Sequence, residues 1–391
     1  METEYFFAED ADDTALIAPP MDDAARFDWL RLIRSRRVGP TTFRRLMAEH
    51  GNAKAALAAL GDVAKAAGVS NYAPCPEGVI HAELNAAHKF GAQLLCMGEA
   101  HYPSALADLR DAPPVLWCKG RPKLLARPLV AMVGARNASS LGMRMAKRLA
   151  EDLGDAGFVV VSGLARGIDT AAHLGALAQG TVAVMAGGLD VVYPPENAAL
   201  TAEIAEKGMC ISELPLGIQP QARHFPARNR IVAGMVQAVL VIEAAAKSGS
   251  LITARMALDY GREVMAVPGH PYDGRATGCN MLIRDGAPML RGIDDVIEAL
   301  GNPPPVPVPD FLKPTSQIAR RAADLPCASN ADEIGPLPAR ILTLLSTSPV
   351  DEDALIRDLA RPAPEVLAAI LELEMAGSIA RAPGGRVMRC A

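Results

Sequence analysis

The chain has 391 residues; 50% are apolar, 21% are charged, and the formal net charge is −5. That length and apolar content point to two or three domains with sizeable cores and exclude global disorder. Seven scattered cysteines without a C-x-x-C pair exclude a disulfide framework and a zinc module, and 4% aromatic residues argue against an aromatic-rich RNA-binding sheet.

Residues 1–28 carry nine acids and one base, Arg26. This acidity is unlike a secretion signal, and no apolar run reaches the ~20 residues of a membrane span. A cytoplasmic protein without membrane contact is expected, with residues 1–22 as an acidic leader. Residues 23–90 read as a small helical domain. Seven bases lie between residues 29 and 54 (Arg31, Arg34, Arg36, Arg37, Arg44, Arg45 and Lys54). The turn around Val38-Gly39-Pro40 resembles a helix-hairpin-helix, with Thr42 as candidate cap of the second helix.

Residues 91–301 alternate short apolar runs with helical periodicity. The runs are Leu129–Val133, Phe158–Val161, Thr181–Met185, Ala238–Ile242 and Val264–Val267. Continuous apolar runs of this length suit strands buried on both faces of a parallel sheet. The fold class is therefore α/β, an extended Rossmann-like doubly wound, mostly parallel sheet. Residues 302–336 form a Pro-rich linker. Residues 337–391 read as three helices and a hairpin, a winged-helix domain.

The chemistry sits in the loops that follow the strands. The first, Gly134-Ala135-Arg136-Asn137, opens a helix whose backbone N–H groups and Arg136 make an anion site. It lacks G-x-G-x-x-G, which disfavours a dinucleotide. The second, Ser162-Gly163-Leu164-Ala165-Arg166-Gly167, adds a cation and glycines for close approach. Asp169 and His173 follow at i, i+4 spacing; they read as an acid/base pair or half a metal site, or with Asp169 as a loop brace. The third, Gly187-Gly188-Leu189-Asp190, reads as architectural or base-facing, since Asp190 would repel phosphate. Phe225, Arg228, Asn229 and Arg230 suit a strand-binding groove with one stacking face. The alternative is that the two arginines brace the sheet edge through Glu213 or Glu243. Lys247, Ser248, Gly249, Ser250 and Thr253 make a phosphate cradle without the P-loop spacing.

At least four cations near one sheet edge suit a polyanion better than a small substrate. No nucleophile–base set and no metal-ligand spacing is evident, so no catalytic residue, metal or cofactor is assigned. Between residues 91 and 300 there are twenty bases and twenty acids, so the cationic surface is a local patch.

Several motifs together resemble the bacterial DNA-processing protein A (DprA/Smf) family. They are Val133–Arg136, Ser162–Asp169, Phe225–Arg230, Glu243–Ala254, Val267–His270 and Gly278–Ile283, with the lead-in Tyr102–Leu106. The resemblance spans about residues 100–300. It implies a protein that binds and protects single-stranded DNA and loads RecA recombinase in natural transformation and recombination. It also implies a homodimer formed through the C-terminal part of the core. By motif, Gly134, Arg136, Ser162, Gly163, Arg166, Gly167, Phe225, Arg228, Asn229, Arg230, Lys247, Ser248, Gly249, Ser250 and Thr253 would contact the DNA. Ala135 stands where the family usually has Ser or Thr, which removes one hydroxyl. The alternative is a nucleotide-processing, phosphoribohydrolase-like enzyme on a related fold; its P-G-G-x-G-T-x-x-E motif is absent here. The last helix carries Glu365, Glu372 and Glu374 without a base, which favours protein contact over duplex binding.

Overall fold

The computed structural model describes residues 17–303, 337–345, 350–359, 361–382 and 386–389. Most of the acidic leader and of the Pro-rich linker therefore lies outside the described residues. The chain divides into two compact units, residues 1–306 and 307–391.

The first unit opens with four helices, α1 (Asp23–Arg34), α2 (Pro40–His50), α3 (Ala53–Ala66) and α4 (Glu77–Phe90). Asp22 caps α1 by accepting the Ala25 N–H at 2.8 Å. The start of α2 differs from the expectation. Gly39 is its N-cap and Pro40 its first residue, and Thr42 lies inside the helix. Proline presets the helical φ and lacks a donor that would be orphaned there, so a hydroxyl cap is not needed.

An eight-stranded sheet follows. Its strands are β1 (Gln93–Cys96), β2 (Val115–Gly120), β3 (Leu129–Val133), β4 (Val159–Ser162), β5 (Thr181–Val184), β6 (Met209–Ser212), β7 (Ala238–Val241) and β8 (Glu263–Ala266). The order is β1-β2-β6-β5-β4-β3-β7-β8. From β6 to β8 all neighbours are parallel, whereas β1–β2 and β2–β6 are antiparallel. The five apolar runs correspond to β3, β4, β5, β7 and β8. The sequence pattern does not reveal β1, β2 or β6.

Between the strands lie α5 (Ser104–Ala107), α6 (Ser140–Ala156), α7 (Ile168–Ala176), α8 (Ala198–Lys207), α9 (His224–Gly234), α10 (Gly249–Asp259), α11 (Thr277–Arg284) and α12 (Ile293–Leu300). Successive side chains of a strand face opposite sides of the sheet. In β3, Val130 and Met132 join the core under α6, α7 and α12, while Leu129, Ala131 and Val133 join the core under α9, α10 and the N-terminal helices. This two-sided burial is why the runs are continuously apolar. Strand order reverses at β3, which lies between β4 and β7. Ligands of such sheets bind beyond the strand C-termini at that point.

The N-terminal helices pack on the antiparallel extension. Glu83 of α4 accepts from Trp117 Nε1 of β2 at 2.8 Å and from Arg34 Nη2 at 2.8 Å. Arg34 also donates to the Glu213 carbonyl at 3.2 Å. Trp117 and Phe43 are fully buried in one continuous core.

In the second unit, helices Leu337–Leu344, Glu352–Leu359 and Ala363–Met375 precede strands Ile379–Ala382 and Arg386–Arg389, which pair antiparallel. Ile341, Leu355, Val366, Ile370 and Val387 make its core. On the helix Ala363–Met375, Glu365 pairs with Arg361 and Glu374 with Arg381, while Leu367, Leu371 and Met375 are exposed.

One buried histidine couples this fold to pH. His173 of α7 has Nδ1 2.9 Å from Thr181 Oγ1. The threonine hydroxyl also lies 2.7 Å from the Val160 carbonyl; when it donates there, Nδ1 donates to Thr181. Nε2 is buried without a partner. Burial, with the Arg228 cation adding to it, pulls the imidazole down to about 3. The unfolded imidazole takes up its proton near pH ~6.5, whereas the folded one does not until far lower pH. The stability due to the neutral ring is therefore present above pH ~6.5 and is lost as the pH falls. Chemical denaturation should show the wild type losing about 2 kcal/mol by pH 5 relative to a His173→Gln variant, whose profile over that window should be flatter.

Candidate nucleic-acid interface

A groove of about 1860 Å³ opens beyond the C-terminal ends of β3, β4 and β7. It is lined by Gly134, Arg136, Gly163, Phe225, Arg228, Asn229, Lys247, Ser248, Gly249, Ser250 and Thr253. Eleven of the fifteen expected residues thus meet there. Asn137 and Arg275 also line it, although neither is singled out by the sequence motifs as a contact. Arg275 follows β8 in a segment without strand or helix periodicity, so only the sheet topology brings it to the groove. Arg166 lines an adjoining shallow depression, together with Arg136, Phe225, Arg228 and Tyr193. Its guanidinium lies 3.9 Å from Glu196, an exposed pair of little energetic weight.

The first loop differs from its expected role. The N-terminus of α6 is already filled by a carboxylate of the protein itself. Glu243, just past β7, accepts the Ser139 N–H at 2.8 Å and the Ser139 hydroxyl, while Ser139 Oγ accepts the Gly142 N–H at 2.9 Å. Those two backbone donors are not available to a phosphate, and the exposed cation of this loop is Arg136. Arg136 is exposed and stands over the Phe225 ring, 5.3 Å from its centroid. Tyr193 meets the same ring edge-on at 5.7 Å. An arginine over an aromatic face keeps its charge outward while its plane is held by the ring.

Phe225 and Arg228 lie on α9, in a stretch read from the sequence as a loop. Pro226 sits in the first turn of that helix, where it is tolerated. Two positions on the helix separate Arg228 from Arg230, and their fates differ. Arg228 is 6% exposed, and its Nη1 donates to the Val184 carbonyl at 2.9 Å. Its guanidinium lies on Gly163, where a Cβ would stand 1.7 Å from Nη1. Arg228 Nε is buried without a partner. Burial lowers the arginine's pKa, opposed by the charge of Asp169. Asp169 braces the second loop by accepting the Gly163 and Ala165 N–H groups, each at 3.2 Å. Burial raises its carboxyl above the ordinary range, opposed first by the Arg228 cation.

Arg230 does not line the groove. It pairs with both oxygens of Glu213 at 2.7 and 2.6 Å and donates to the Asp111 carbonyl. It is therefore a sheet-edge brace. Ser162 turns inward and donates to the Met132 carbonyl at 2.6 Å. Gly167 has φ +75°, and a Cβ there would lie 2.3 Å from the Ala135 carbonyl oxygen, so it joins two loops and does not face the groove. Asp190 accepts the Gly217 N–H at 2.8 Å, an architectural contact.

On the far wall, Ser248 caps α10 and bonds the Ser250 hydroxyl at 2.7 Å, leaving Lys247 exposed at the rim. Among the described residues no group of three or more His, Cys, Asp or Glu side chains is placed to hold a metal, and no helix is long and apolar enough to cross a membrane.

Comparison with known proteins agrees with this architecture. A family model described as DNA recombination-mediator protein A matches residues 93–301. Models of a DprA-like N-terminal HHH domain and a DprA winged-helix domain match residues 23–86 and 326–385. Protein Smf of a Synechocystis species is 34% identical over 319 residues, 76% of this chain and 80% of the relative. Protein Smf of Escherichia coli is 37% identical over 293 residues, 73% of this chain and 74% of the relative. The X-ray structure of DNA processing protein A from Streptococcus pneumoniae matches with a TM-score of 0.57 and 35% identity, covering 67% of this chain and 98% of that one. DNA processing protein A from Helicobacter pylori, whose structure was described for its single-stranded DNA binding mode, matches with a TM-score of 0.50 and 33% identity, covering 54% and 95%. The chain, with its reversed-order sheet, helical N-terminal domain and winged helix, belongs to the DNA-processing protein A (DprA/Smf) family of recombination mediators.

Proposed function

We propose that the groove binds single-stranded DNA and that the protein acts as a non-catalytic mediator, protecting incoming strands and loading RecA recombinase during natural transformation and recombination. The observation that carries this reading is the juxtaposition of Arg136 on the Phe225 ring with Lys247 across an open groove. A cation-lined groove tracks a phosphate backbone, and an aromatic face accepts any base. The likeness to the Helicobacter pylori protein supports the same ligand. Among the described residues, Asp169 and Glu243 at the groove are engaged in holding backbone N–H groups, Asp169 within its own loop and Glu243 at α6. That favours binding over nucleotide hydrolysis. Release of a base from a nucleoside monophosphate would overturn it.

The homodimer is assigned to the C-terminal part of the core. There the edge strand β8 adjoins a groove of about 890 Å³, and Leu258 and Met289 are exposed. The winged helix is assigned to protein contact through the exposed Leu367 and Leu371 face.

Fluorescence anisotropy with a labelled strand of ~30 nucleotides tests the groove, with duplex as control. The Arg136→Ala, Lys247→Ala double variant should bind more weakly, and its log K against log salt should flatten by about 0.7 for each phosphate that is no longer neutralised. Phe225→Ser should weaken binding by about 1–3 kcal/mol with the salt slope unchanged, since stacking releases no counterions. Arg230→Ala should instead lower thermal stability, because it leaves Glu213 half-buried and unpaired, while strand affinity per folded molecule stays close to wild type. An unchanged affinity in the double variant would place the strand elsewhere.

A further inference from the structure

The groove holds more positive charge than the described residues neutralise. Among them no carboxylate pairs with Arg136 or Lys247. The basic helical domain is different. Arg26, Arg31 and Arg34 pair with Glu99, Glu77 and Glu83, and Arg44 donates to the Ala107 carbonyl.

Residues 1–16 have the complementary chemistry. They contain Glu2, Glu4, Glu9, Asp10, Asp12 and Asp13, no Lys or Arg, and the triplet Tyr5-Phe6-Phe7. Carboxylates beside aromatic rings offer the two features a strand offers, negative charge and stackable faces. Topology puts this segment within reach. Pro19 packs on Gly98, with its Cβ 3.3 Å from where a Gly98 Cβ would stand, and Gly98 lies just beyond β1. Because β1 is antiparallel to β2 and β2 to β6, the end of β1 is at the same sheet edge as the groove. Five strand spacings separate β1 from β3, about 24 Å at ~4.8 Å each. Sixteen residues extend to at most ~50 Å, so the segment spans the gap.

We propose that residues 1–16 dock in the cationic groove as a second, protein ligand and compete there with the nucleic acid. The docking rests on the groove's charge; the competition rests also on the reading of the groove as a strand-binding site. Tethering makes even weak docking effective. At an effective concentration on the order of 1–5 mM, an intrinsic Kd on the order of 0.5 mM lowers apparent strand affinity about 3–10-fold. Long strands, which engage more cations at once, displace the segment more readily than short ones.

The test uses the full-length chain with the six acids neutralised (E2Q, E4Q, E9Q, D10N, D12N and D13N). Its Kd for a single strand should be about 3–10-fold tighter than wild type at low salt, and the gain should fade near 1 M salt, where the screening length is ~3 Å. A full-length control, E365Q, E372Q and E374Q, removes acids from the winged helix; an equal gain there would mean bulk charge and would overturn the proposal. Separately, a labelled synthetic peptide of residues 1–16 is added to the neutralised chain. It should bind, and should cease to bind in the Arg136→Ala, Lys247→Ala background. Absence of peptide binding, or binding that survives that background, overturns the docking. If the peptide binds the groove but strands do not, the docking stands and the strand-binding reading fails.

Discussion

The interface depends on one carboxylate. Glu243 leaves the end of β7 and fills the N-terminus of α6, which follows β3, so the two strands on either side of the order reversal are tied together above the sheet. A helix N-terminus favours a negative charge, and here the charge is internal and permanent. Gly142 leaves room for it; a Cβ there would lie 2.5 Å from the Glu243 carboxylate. The consequence is a division of labour. Backbone dipoles hold the loop in place, and side-chain cations stand exposed at its rim. A sheet of this topology can cradle one phosphate with a helix N-terminus. This one presents a row of separated cations, which suits a chain of phosphates.

Buried charge backs the groove. Arg228 lies against Gly163, donates to the Val184 carbonyl and shares its field with Asp169, which in turn holds the second loop by two N–H groups. Removing either charge leaves the other uncompensated in a poorly solvated place, a costly state. Arg136 and Lys247 stand at the solvent edge by contrast, where charge costs little to maintain and is effective at long range. Rigid buried ions thus position the loops, and the exposed ones stay open to solvent.

The N-terminal helices are joined to this scaffold by the same economy of means. Glu83 accepts simultaneously from Arg34 and from Trp117, so a helix, its neighbour and the antiparallel extension of the sheet share one buried acceptor. Most bases of that domain are committed to such contacts. A basic stretch in a sequence is therefore not by itself a nucleic-acid surface. What distinguishes the groove is that, among the described residues, Arg136 and Lys247 there pair with no carboxylate, and residues 2–13 carry six acids.

Much of this protein was legible in its residues. The continuous apolar runs gave β3, β4, β5, β7 and β8, because strands buried on both faces need no polar alternation. Glycine, arginine and small hydroxyl residues after those runs located the loops, and the order of several long motifs indicated the family. The pattern did not reveal β1, β2 and β6, the antiparallel extension and the strand it joins. The roles of individual groove residues were decided only by tertiary structure. Arg228 and Arg230 are two positions apart on α9, yet one faces the groove under Gly163 and the other pairs with Glu213, since two positions on a helix differ by more than half a turn of direction. Glu243, Asp169 and Arg275 likewise acquire their roles from partners or neighbours brought together by the sheet. Sequence determines which chemistry each strand end carries; packing decides which of those groups is consumed in holding the loops and which is left to meet a ligand.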